Sequence, residues 1–179
     1  DSSTGVKCQY GIEMSKIDTA WDMGIFGNDV KIGLIDSGIY PHNELIANTL
    51  PGYNYTVTSS VCSKGAKCTD YDCAHHDYTD EYHHGTFCAG IMVAQANTTH
   101  IIGATPAAKI VPLKSFVDGN GSVSDIVQAV YSAVDQYDCD VINMSFGLRS
   151  SSTALKTAIA YAKNNNVLVV AAAGNYRSS

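Results

Sequence analysis

Val30-Lys-Ile-Gly-Leu-Ile-Asp-Ser-Gly38 is the stretch on which the fold reading turns. Val30, Ile32, Leu34 and Ile35 favour a strand, and their weak alternation predicts one covered on both faces. The apolar run stops at Asp36, followed by Ser37 and Gly38. Open parallel sheets carry their chemistry at the carboxyl ends of strands, where loops leave the sheet. A carboxylate at that place is rigidly held and can orient a second group.

Working outward, further strands are expected at Tyr53–Val57, Lys109–Phe116, Val141–Met144 and Val167–Ala173, the last as a buried strand. Helical patterns lie between them. Ile12, Ile17, Trp21 and Ile25 mark a short amphipathic helix. His84–Ala96 reads as a helix rich in small residues. Ser124 is the expected N-cap of a helix continuing through Ile126, Val130 and Val134, and Ser152 or Thr153 opens another. Strands alternating with helices predict an α/β fold, a parallel sheet with helices on both faces. The 179 residues suit a single domain, residues 1–179, interrupted by a Cys-rich polar insertion at 59–83.

Composition narrows the partners. The net charge of −6 and the scattered Lys and Arg exclude a nucleic-acid surface. No run of about 18 apolar residues is present to span a membrane. Asp1–Gly5 is polar and holds no signal-peptide core. Cys8, Cys62, Cys68, Cys73, Cys88 and Cys139 include three in one polar loop, which points to disulfides and an exported, oxidising setting. Asn54-Tyr55-Thr56, Asn97-Thr98-Thr99 and Asn120-Gly121-Ser122 fit the glycosylation pattern. Cys62, Cys68, Cys73, His75, His76 and His83 are spaced too widely for the usual zinc pairs, so a stapled loop is preferred. Its third cysteine has Cys8, Cys139 or a cysteine outside the chain as partner. Asp70, Asp72, Asp77, Asp80 and Glu81 form an acidic cluster that offers a cation site.

Asp36, His84 and Asn175 each sit just past an expected element boundary. Asp36 can fix the tautomer of the His84 imidazole. His84 can then act as general base for a hydroxyl, and the Asn175 amide can donate to a developing oxyanion. Four stretches in this order carry a resemblance: Lys31-Ile-Gly-Leu-Ile-Asp-Ser-Gly-Ile39, His84-Gly-Thr-Phe-Cys-Ala-Gly90, Asp140-Val-Ile-Asn-Met-Ser-Phe-Gly147 and Ala171-Ala-Ala-Gly-Asn175. Together they are similar to the aspartate, histidine, substrate-binding and oxyanion motifs of the subtilisin-like serine proteases, the subtilase family.

The resemblance implies the subtilase fold and a serine endopeptidase acting on peptide or protein substrates. It implies that Ser145, Phe146 and Gly147, with Ala173 and Gly174, wall the pocket for the residue before the scissile bond. Gly119, Asn120 and Gly121 become the edge to which a peptide adds as a strand. It also implies structural calcium after the histidine helix, at Gln95, Asn97, Thr99 and Ile101 with the carboxylate of Glu44. The family's nucleophile lies in a Gly-Thr-Ser-Met-Ala motif, and no serine of these 179 residues stands in one. The expectation is therefore a fold cut before the catalytic-serine helix, its serine supplied from outside this chain by a C-terminal remainder or second polypeptide. The rival from another class is an inactive subtilase-like module that binds peptide or protein. A cysteine protease built on Cys88 and His84 leaves Asp36 and Asn175 without a role. A nucleotide-binding domain lacks the glycine-rich phosphate loop after Ile35.

Overall fold

In the computed structural model the described residues are 9–57, 76–97 and 101–175. Their centre is a parallel sheet of five strands: β1 (Lys31–Asp36), β2 (Tyr53–Asn54), β3 (Lys109–Lys114), β6 (Val141–Met144) and β7 (Leu168–Ala171), in the order β2-β3-β1-β6-β7. β1 is the middle strand, as its two apolar faces require. Lys31 to Asp36 run in register with Lys109 to Lys114 on one side, and Ile32 to Leu34 with Val141 to Asn143 on the other.

The two faces of β1 build two cores. Ile32 and Leu34, with Ile110 of β3, pack beneath α4 (His84–Val93) against Ala89 and Val93. Ile35, with Val111, Leu113 and Ile142, packs beneath α5 (Val123–Asp135) and α6 (Thr153–Asn164) through Ile126, Ala129, Val130, Leu155 and Ala158. Small residues on the helices allow close approach to the sheet.

Several boundaries differ from the sequence reading. The single helix expected from Ile12 to Ile25 is two short ones, α1 (Tyr10–Met14) and α2 (Ile17–Asp22), broken where Lys16 turns left-handed at φ 58°. α3 (Asn43–Ile46) follows β1, and β2 holds only two residues of the strand expected over Tyr53–Val57. α4 stops at Val93 because Ala94 swings to an extended backbone. Ser122, not Ser124, caps α5 by accepting from Asp125 N at 3.1 Å, and Ser152 caps α6 from Leu155 N at 3.2 Å. β3 ends at Lys114, and Phe116 opens a hairpin of β4 (Phe116–Val117) and β5 (Asn120–Gly121). Asp118 (φ 48°) and Gly119 (φ 74°) make its two-residue turn, whose left-handed backbone suits Asp-Gly.

β7 is a correction of another kind. It is not buried: it forms the edge of the described sheet, with Leu168 61% and Val170 47% exposed. Apolar composition reports what a strand can cover, not what covers it. Cys139 is also corrected. It carries a free thiol in the α5 core, where burial pushes its pKa up to about 12, and it bridges to no described residue. The Asn54 glycosylation triplet is spoken for, because Asn54 is buried and its amide is bonded to Asp77 O and to Thr56. Cys8, Cys62, Cys68, Cys73, His75, Asp70, Asp72 and Thr99 lie outside the described residues. No helix among the described residues is long and apolar enough to cross a membrane.

The core assignment is tested by truncation. Leu34→Ala is expected to cost about 2–5 kcal/mol in urea unfolding, while Lys156→Ala at an exposed position of α6 should stay within about 0.5 kcal/mol.

Candidate active site

Asp36 is the last residue of β1 and only 4% exposed. Its carboxylate accepts from Ser37 N at 2.7 Å and from the Ser37 hydroxyl at 3.2 Å. The same hydroxyl accepts from Gly85 N at 3.0 Å, tying the exit of β1 to the first turn of α4. Gly85 is required there: a Cβ on it would stand 2.2 Å from the carbonyl oxygen of Gly38.

His84 opens α4. Its Nδ1 lies 2.8 Å from Asp36 Oδ1 and 3.0 Å from Oδ2. An ionised carboxylate only accepts, so Nδ1 carries the hydrogen, and in the neutral imidazole Nε2 is then the nitrogen with the lone pair. The side chain is 45% exposed, and Nε2 makes no hydrogen bond to any described residue. A base results whose orientation is set from behind and whose working nitrogen faces open space.

The approach to His84 is held by Asp80, which is 1% exposed. Asp80 Oδ1 accepts from the amides of Tyr82 (3.0 Å) and His83 (2.8 Å), and Oδ2 from the amide (2.8 Å) and hydroxyl (2.6 Å) of Thr86. Together these bonds serve the orphan donors at the start of α4 and support His83 in its left-handed conformation at φ 69°. Burial acts to raise the Asp80 pKa. The hydrogen bonds from the Thr86 hydroxyl and amide and from the His83 amide outweigh it, and the net displacement is downward. The reading of Asp80 as a cation ligand is thus corrected, since protein donors occupy both of its oxygens.

In front of the imidazole lies a cleft of about 190 Å³ lined by Asp36, Ser37, Tyr82, His84, Phe116, Gly119, Ser145 and Phe146. Phe116 and Phe146 pack with ring centroids 4.8 Å apart. A Cβ on Gly119 would meet the Tyr82 hydroxyl at 2.9 Å. Of the residues singled out from sequence, Asp36, His84, Gly119, Ser145 and Phe146 meet here. Asn120 and Gly121 form the exposed second strand of the adjoining hairpin, and Gly147 is exposed beyond Phe146. Ala173, Gly174 and Asn175 are exposed past β7 and do not line the cleft. Asn175 makes no hydrogen bond within the described residues. Tyr82 and Phe116 were not foreseen as lining residues. The aromatic residue two places before His84 was the available signal for Tyr82.

Cys88, one turn along α4, is half-buried and free. Burial pushes its thiol pKa up, the hydrogen bond with Ser145 pulls it down, and the charges of Asp36 and Asp80 add to the rise, which prevails. A thiol kept protonated is a poor nucleophile.

The expected cation residues partly converge. Buried Glu44 accepts from Asn97 Nδ2 at 2.7 Å through Oε2, and its carbonyl accepts from Gln95 N at 3.0 Å. Gln95 Nε2 donates to Asn43 O at 2.7 Å, and Ile101 is 43% exposed nearby on the same apolar hollow as Glu44. In each of these contacts a nitrogen donates to an oxygen of Asn43 or Glu44, and the contacts tie the segment after α4 to α3.

The Subtilase family model matches residues 27–179. The thermophilic serine proteinase of Bacillus sp. (strain AK1) is 35% identical over 174 residues, covering 96% of this chain and 39% of that protein. Subtilisin DY of Bacillus licheniformis is 37% identical over 172 residues, covering 95% of this chain and 56% of that protein. Among solved structures, a protease from Pseudoalteromonas arctica PAMC 21717 superposes with a TM-score of 0.76 at 31% identity, over 89% of this chain and 53% of that one. The chain therefore spans about two fifths to a little over half the length of these relatives.

Loss of the Asp80 cap should be measurable. Asp80→Ala is expected to cost about 1–3 kcal/mol at neutral pH, as the amides it serves lose their acceptor. A lowered folded pKa contributes stability above the unfolded carboxylate value, about 3.9, and loses it as pH falls through the folded value. The gap between wild type and variant in denaturant midpoint should accordingly narrow in acid.

Proposed function

The chain belongs to the subtilase family, and on that premise we propose that it is the part of a serine endopeptidase that carries the base, its orienting carboxylate and the oxyanion donor. The observation that supports this best is the 2.8 Å contact between Asp36 and His84 Nδ1, with Nε2 left open to the cleft. The nucleophile is a serine hydroxyl supplied by sequence outside these residues. His84 takes its proton as the hydroxyl attacks the peptide carbonyl, and Asp36 stabilises the imidazolium that forms. The Asn175 amide donates to the oxyanion of the tetrahedral intermediate. His84 then returns the proton to the leaving amine, and water repeats the sequence on the acyl-enzyme.

The substrate is a peptide or protein segment in extended form. We assign its backbone to the rim Gly119-Asn120-Gly121, and the side chain before the scissile bond to walls made by Ser145, Phe146, Gly147, Ala173 and Gly174. The relative named minor extracellular protease Epr of Bacillus subtilis, 34% identical over 170 residues, supports an extracellular setting. A Cys-rich insertion in the sequence fits that setting.

In the complete enzyme, Asp36→Asn should lower kcat by about 10⁴-fold and Asn175→Ala by about 10²- to 10³-fold, each in a peptide hydrolysis assay. Wild-type rates should fall as the pH drops through the range in which imidazoles take up a proton. Peptide binding without hydrolysis by the complete wild-type protein would instead establish the inactive binding module.

We also propose structural calcium at Glu44, Gln95, Asn97, Thr99 and Ile101, which would hold the loop after α4 through oxygen ligands. Chelation should lower the unfolding temperature of the wild type, and Glu44→Gln should remove most of that response.

A further inference from the structure

The carboxyl ends of β2, β3 and β1 stand in one register row. Asn54 is beside Lys114, and Lys114 is beside Asp36. Register partners on parallel strands turn their side chains to the same face, and Ile32, Leu34 and Ile110 identify it as the α4 face. All three members of the row reach the segment that leads into the histidine. Asn54 Nδ2 donates to Asp77 O at 2.8 Å, Lys114 Nζ donates to Thr79 O at 2.6 Å, and Asp36 accepts from His84 Nδ1 at 2.8 Å.

Lys114 is the unexpected member. It is 7% exposed, and it forms no ion pair within the described residues. Burying an ammonium is costly, and an apolar side chain of that length would pack there at less cost. Its hydrogen bond falls on the residue immediately before Asp80, whose carboxylate sets the first turn of α4. Between Thr79 and His84 the chain also holds His83 in a left-handed backbone at φ 69°, a conformation that persists only where both sides are fixed.

We propose that Lys114, assisted by Asn54, is a positioning residue for the base. Its buried ammonium fixes Thr79, and through it the Asp80 cap, so that the His84 ring seats on the Asp36 carboxylate. It touches neither substrate nor reacting atoms. The inference rests on the reading of Asp36 and His84 as a catalytic pair.

The test is made on the complete enzyme with Lys114→Met and Lys114→Arg. The Met variant should lose about tenfold to a hundredfold in kcat, with KM changed by no more than about twofold. Arg, which keeps a cation within reach of the carbonyl, should restore most of the loss. In proton NMR the strongly hydrogen-bonded His84 Nδ1–H signal should move upfield or broaden in the Met variant and return in the Arg variant. A Met variant with a lower unfolding temperature but wild-type kcat and an unchanged His84 signal overturns the proposal. If the Met variant does not fold, Lys114→Gln replaces it: equal kcat in Gln and Arg overturns the proposal, and a deficit confined to Gln supports it. A wild type that does not hydrolyse peptides sinks the enzymatic reading instead, and the NMR comparison still decides the role of Lys114.

Discussion

The hydrogen bond between the Asp36 carboxylate and His84 Nδ1 is the contact that gives the rest of this architecture a purpose. It joins the end of the central strand to the start of the helix laid over it. Neither partner has freedom to wander: Asp36 is pinned by the Ser37 amide, and the Ser37 hydroxyl reaches Gly85 of the helix. An imidazole bonded in this way has its Nδ1–H and its ring orientation set by the carboxylate.

The strength of that arrangement lies in its layers. Behind the imidazole stands a buried carboxylate, and behind the helix start stands a second one, Asp80, saturated by four donors. Burial alone would favour protonation of Asp80. For Asp80 the hydrogen bonds from the chain reverse that tendency. The environment also pushes the pKa of the neighbouring Cys88 thiol up, chiefly through burial.

Much of this was legible in the sequence. β1 was readable because an unbroken apolar run that halts abruptly at Asp-Ser-Gly has the pattern of a strand leaving a sheet covered on both sides, and the alternation of strands and helices implied the parallel arrangement. Asp36 and His84 followed from their positions at element ends. Other features were not legible, for identifiable reasons. Asp80 looked like one acidic residue among several, because sequence displays charge but not the four donors that surround it. Ser124 and Ser122 are both sound caps, and only the backbone decides which one flanks the first turn. Lys114 falls inside the strand expected over Lys109–Phe116, and nothing local announces that its ammonium turns inward. Asn175 lies exposed beyond β7, and a motif that specifies order alone does not say which residues line the cleft.

β7 carries a consequence of its own. Its outer edge presents a row of backbone donors and acceptors without strand partners among the described residues, flanked by exposed Leu168 and Val170. Such a surface is adhesive in both available senses, through backbone pairing and through water-avoiding side chains. These residues produced in isolation would meet copies of themselves edge to edge. The strand that leads into Ala172–Asn175 is thus also an adhesive surface of the described residues.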